Sequence, residues 1–111
     1  MHKVHICLSC RQGTEAPQGP AFVEALKAAL SDEPVEVVGA ECMNACEAPV
    51  SMALTAPDKQ SYLFAHVRPD GDVADAAGLV RLYLEAKGGV ITNAKDAGRL
   101  RFCLRGRVPA P

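Results

Sequence analysis

Apolar and polar residues alternate over residues 2–8, with His2, Val4, Ile6 and Leu8 on one side and Lys3, His5 and Cys7 on the other. A period of two predicts a strand. A stretch rich in Gly, Pro, Thr and Gln follows from Ser9 to Gly19 and reads as a loop. Pro20 suits a first helical turn, where its missing N–H is not needed. Phe22, Val23, Leu26, Ala29 and Leu30 then recur at helical spacing, so residues 20–30 are predicted as an amphipathic helix, which Pro34 ends. Val35 to Ala40 is a second apolar run of strand type. Val50, Met52 and Leu54 alternate with Ser51, Ala53 and Thr55 as a third strand, and Ala56-Pro57-Asp58-Lys59 has turn chemistry. Residues 60–67 complete an antiparallel hairpin with it. After the turn Pro69-Asp70-Gly71, Asp72 is placed to cap a helix that carries Asp75 in its first turn. Val73, Ala76, Ala77, Val80, Tyr83 and Leu84 form its apolar stripe, and Gly88-Gly89 stops it. Beyond lie an apolar pair (Val90, Ile91), a short helical turn near 94–100 and a proline-ended basic tail.

The order β-α-β-β-β-α puts the first two strands parallel, with the hairpin beside them. That predicts a thioredoxin-like α/β sandwich: a mixed four-stranded sheet and a short basic C-terminal extension, residues 86–111. With 111 residues, the chain is expected to be a single domain, 1–111, large enough for one core. There is no apolar run of membrane-spanning length and no secretory pattern at the start, so a cytoplasmic protein is expected.

Charge divides the chain. Residues 1–86 carry 6 Lys/Arg against 12 Asp/Glu, whereas residues 87–111 carry 6 basic side chains against Asp96. A basic segment folded on or beside an acidic body accounts for this. An acidic face that steers a redox partner protein is the functional counterpart. Phe102 is the only aromatic residue in the basic stretch and no nucleic-acid motif surrounds it, so neither nucleic acid nor membrane is expected as a partner. Self-association as a homodimer is left open.

The chemistry concentrates in two cysteine pairs, Cys7-x-x-Cys10 and Cys42-x-x-x-Cys46, each just past a predicted strand. In a reducing compartment such pairs are more often metal ligands or redox catalysts than disulfides, and five cysteines is an odd number for a disulfide framework. Loops leaving the same ends of neighbouring parallel strands lie together. Three chemistries compete for four thiolates there. A [2Fe–2S] cluster takes two per iron, and small residues such as those in Cys42-Met43-Asn44-Ala45-Cys46-Glu47-Ala48-Pro49 let backbone curl round it. Zinc takes the same donors, and the Cys7-x-x-Cys10 spacing suits it well. A thioredoxin-type dithiol needs its first cysteine at a helix N-terminus, and the distance in sequence from Cys10 to the helix at Pro20 argues against that.

Glu41-Cys42-Met43-Asn44-Ala45-Cys46-Glu47-Ala48-Pro49-Val50, followed by hairpin and helix, resembles the thioredoxin-like [2Fe–2S] ferredoxins. Over its full length the chain is similar to a family of small bacterial proteins described as predicted metal-binding. The opening strand with its Cys-x-x-Cys, the Gly-Pro helix start and Ser61-Tyr62-Leu63-Phe64 carry that likeness. The resemblance implies Cys7, Cys10, Cys42 and Cys46 as ligands of a [2Fe–2S] cluster, with zinc as the alternative, and a ferredoxin-type electron carrier or metal-binding protein rather than an enzyme. No paired carboxylates, Ser/His/Asp set or phosphate loop points to substrate conversion. Cys103 reads as a small buried hydrophobe, His5 as a neighbour of the site, His66 as a strand residue, and Phe22, Tyr62 and Phe64 as core.

Overall fold

A computed structural model describes residues 2–8, 19–40, 50–68, 71–91 and 95–109. Strand β1 (His2–Cys7) is followed by helix α1 (Gly19–Ala29), β2 (Val35–Ala40), β3 (Met52–Thr55), β4 (Ser61–Phe64), helix α2 (Val73–Glu85) and β5 (Leu104–Val108). Short 3-10 segments at Lys87–Gly89 and Lys95–Phe102 join α2 to β5. The sheet runs β2-β1-β3-β4-β5; β1 and β2 are parallel and every other pair is antiparallel.

The predicted α/β sandwich is thus present, with five strands instead of four. The extra strand comes from the segment expected to be a basic extension. Its sequence, Leu-Arg-Gly-Arg-Val, hides the strand because β5 lies at the sheet edge and four of its five side chains are exposed. With little to bury, it shows no apolar alternation.

One sheet face is the core. Val4, Ile6, Val37, Met52, Leu54, Tyr62 and Phe64 pack with Phe22, Val23 and Leu26 of α1 and with Ala76, Ala77, Leu79, Val80 and Tyr83 of α2. These are largely the residues that the period-two and helical patterns select, because burial drives both patterns. The two helices also touch each other. Tyr62 and Tyr83 meet edge to face at 5.9 Å. Their hydroxyls donate to the carbonyls of Gly89 and Gln60, both at 2.6 Å. Burial pushes the Tyr83 phenol up to about 12, so it remains a donor at physiological pH.

Two local expectations change. Strand β4 ends at Phe64, because His66 adopts a left-handed backbone (φ 62°) in place of strand geometry. Asp72 does precede α2, but its side chain makes no capping bond. That carboxylate is engaged elsewhere, by Arg68 and Arg99.

Candidate metal centre

Cys7 is the last residue of β1, and its register partner on β2 is Ala40, the last residue of that strand. The Leu8 N–H donates to the Ala40 carbonyl at 2.8 Å, and the Cys7 N–H donates to Ser51 at 3.0 Å. Ala40 and Val50 bound the segment that carries Cys42 and Cys46. Both of its ends are therefore anchored beside Cys7, one on each side of β1. Cys10, Cys42 and Cys46 themselves lie outside the described residues. Among the described residues no three metal-ligating side chains come together.

Cys7 alternates onto the face of Lys3 and His5, yet it is fully buried. The His5 ring is hydrogen-bonded to the Thr55 hydroxyl at 2.8 Å, and burial and the Lys3 ammonium hold its pKa below 6.5. That pairing gives His5 a structural role on the sheet.

Helix α1 returns to the same spot. A Cβ placed on Gly19 would lie 2.0 Å from the Cys7 carbonyl oxygen and 2.9 Å from the Leu8 Cα. Only glycine permits that approach, so the helix N-terminus abuts the end of β1. Separation in sequence had pointed the other way. The positive end of α1 stands at Cys7, where it favours negative charge.

Antiparallel pairing brings the end of β4 to this side of the sheet as well, since Phe64 is opposite Met52 and Met52 opposite Ile6. Val50 and Val67 exchange two backbone hydrogen bonds of 3.0 Å. Just beyond, Asp72 is almost wholly buried. It accepts from the Arg68 N–H at 2.7 Å and from the Arg99 Nε at 3.1 Å, and it also pairs with an Arg99 terminal nitrogen. Burial alone would raise the Asp72 pKa; the hydrogen bonds from Arg99 and Arg68 outweigh it and hold the carboxyl below 3.8. Arg99 further donates to the His66 carbonyl at 2.7 Å, and its backbone N–H donates to Asp75 at 3.2 Å. Gly98 makes the turn possible at φ 58°, where a Cβ would lie 2.4 Å from a carboxylate oxygen of Asp75. Cys103 is buried, with its sulfur 3.9 Å from the His66 oxygen and 3.8 Å from the Arg99 oxygen. Pattern reading misses this clamp, because Asp72 and Arg99 are far apart in sequence and neither lies on an apolar stripe. The charge asymmetry between the two parts of the chain is its only sequence trace.

Solved structures share this arrangement of elements. A thioredoxin-like [2Fe–2S] ferredoxin from Aquifex aeolicus superposes with a TM-score of 0.60 at 17% identity, covering 96% of this chain and 92% of that one. A second structure, the wild-type thioredoxin-like [2Fe–2S] ferredoxin from the same organism, gives 0.56 at 17% identity over 96% and 97% of the two chains. The protein therefore has the fold of the thioredoxin-like ferredoxins. Residues 4–110 match the family described as "Protein of unknown function (DUF1636)", and the chain belongs to that family. No curated protein matches it in sequence.

Proposed function

We propose that this protein is a one-electron carrier whose [2Fe–2S] cluster is held by Cys7, Cys10, Cys42 and Cys46. The observation that carries the proposal is the anchoring of Ala40 and Val50 on either side of Cys7. Cys42 follows Ala40 by two residues and Cys46 precedes Val50 by four. The described ends of the segments that carry the two cysteine pairs lie at one end of the sheet, which supports the reading, and the fold is one that a ferredoxin also has. When bound, such a cluster supplies one-electron redox chemistry. The chain's own contribution is thiolate donors, water exclusion at the buried Cys7, and the positive end of α1 beside that residue. All three favour a negatively charged centre or tune its potential. A redox protein with a basic patch is the partner, steered by the acidic surface of residues 1–86.

The Cys7-x-x-Cys10 spacing favours a second reading, in which the four thiolates hold zinc without redox turnover. Protein purified without oxygen separates the two through its visible absorption and its iron and zinc content. A brown sample with thiolate-to-iron bands and about two irons per chain supports the carrier. A colourless sample with about one zinc per chain replaces it with the zinc reading. A sample with neither metal sinks both.

A further inference from the structure

On the helix-covered side of the sheet, a cavity of about 120 Å³ opens between β4, β5 and α2. Tyr62, Phe64, Leu79, Ile91 and Leu104 line it together with two arginines, Arg101 and Arg107. The floor is apolar: Tyr62, Phe64 and Leu79 are each less than a tenth exposed. The single hydroxyl on that floor is already committed. Tyr62 donates to the Gly89 carbonyl at 2.6 Å and lies 3.4 Å from the Ile91 N–H.

The cations are not committed in that way. Among the described residues, the ion pairs are Lys3–Glu36, Arg81–Glu33 and Arg99–Asp72, so neither Arg101 nor Arg107 pairs with a carboxylate. The Arg101 guanidinium stacks on the Phe102 ring, 4.8 Å from its centroid. Arg107 stands opposite Tyr62 in the β4–β5 ladder, and the irregularity between Leu63 and Phe64 brings Leu104, not Arg105, opposite Phe64. A β-bulge re-aims side chains in this way. The result is that two arginines and a leucine join the lining of an apolar hollow. Among the described residues, four of the five exposed large hydrophobics, Val90, Phe102, Leu104 and Val108, are lining residues or their chain neighbours.

We infer that this cavity binds a small organic carboxylate with a ring-sized or short branched apolar body. Size sets the body, since an engineered apolar cavity of about 150 Å³ takes up benzene. Charge sets the head group, because guanidinium forks match a carboxylate's two oxygens. A phosphate fits less well: the floor offers no uncommitted donor for a third oxygen. The inference stands independently of the metal centre.

Titration of the isotope-labelled full chain by amide NMR tests it, with phenylacetate as probe, phenylacetamide as its neutral counterpart and acetyl-Gly-Gly-Phe as a chain-terminal carboxylate. Phenylacetate is expected to give saturable shifts at Tyr62, Phe64, Leu79, Ile91 and Leu104. Its affinity should exceed that of phenylacetamide about tenfold, and the Arg101→Gln/Arg107→Gln double variant should remove that preference. Leu104→Trp, at a half-exposed position, should fill the cavity and abolish the shifts while the spectrum stays folded. Tighter binding of acetyl-Gly-Gly-Phe would assign the site to the carboxyl terminus of a protein; its exclusion would assign it to a free acid. Absence of saturation by about 20 mM, or equal affinity for acid and amide, would overturn the inference.

Discussion

Asp72 illustrates how a single residue serves a different purpose from the one its sequence position suggests. Before a helix an aspartate is expected to cap, and here it anchors Arg99 instead. Arg99→Met would leave that buried carboxylate with the Arg68 N–H but without its ion partner, so a loss of about 2–4 kcal/mol is expected in urea denaturation at neutral pH. The native Asp72 pKa lies below its ordinary 3.8, so its stabilisation is complete above 3.8 and is lost as pH falls through the native value. The gap between wild type and Arg99→Met should close over that same acid range. His2 works with the opposite charge type. Burial, then the Lys59 ammonium, depress its pKa below 6.5, and its Nε2 has no hydrogen-bond partner among the described residues. Folding therefore favours the neutral ring. The chain should lose stability as pH falls below 6.5 toward the native value, and His2→Leu should flatten that slope. Gly19→Ala forces a Cβ onto the Cys7 carbonyl, which is backbone and cannot swing aside. It should cost about 1–3 kcal/mol, read by thermal melting.

At the scale of elements, the ends are decided by partners as much as by local preference. Helix α2 runs to Glu85 and has no basic residue in its last turn. Lys59 supplies the charge from the β3–β4 turn, donating to the carbonyls of Tyr83 at 2.7 Å and Leu84 at 3.2 Å. Lys59→Met should destabilise the protein by about 1 kcal/mol, and amide exchange should show the added opening at the last turn of α2. Most elements were legible because their side chains follow the period of the structure they form. The limits of β4 and the existence of β5 were not. The first depends on the left-handed backbone at His66, whose carbonyl receives Arg99, and the second on an edge strand with little to bury.

For the whole molecule, the cysteines make the decisive test. On the proposed carrier reading, Cys46→Ser should bleach the visible bands of protein purified without oxygen and halve or abolish its iron. Cys103→Ser should leave colour and iron unchanged, since Cys103 lies among the carbonyls of the C-terminal clamp. If Cys103→Ser bleached the sample equally, the assignment of ligands to Cys7, Cys10, Cys42 and Cys46 would fail.

The sequence by itself determined the two cysteine pairs, their place after apolar strands and the α/β order of elements. These are local properties, written in neighbouring side chains and in the burial that one face of a strand or helix demands. Only the tertiary structure decided that the start of α1 meets Cys7, that Asp72 holds Arg99, and that Arg101 and Arg107 join the lining of an apolar cavity. Those contacts join residues distant along the chain. No local periodicity encodes them, because each depends on which strands pair and in what register.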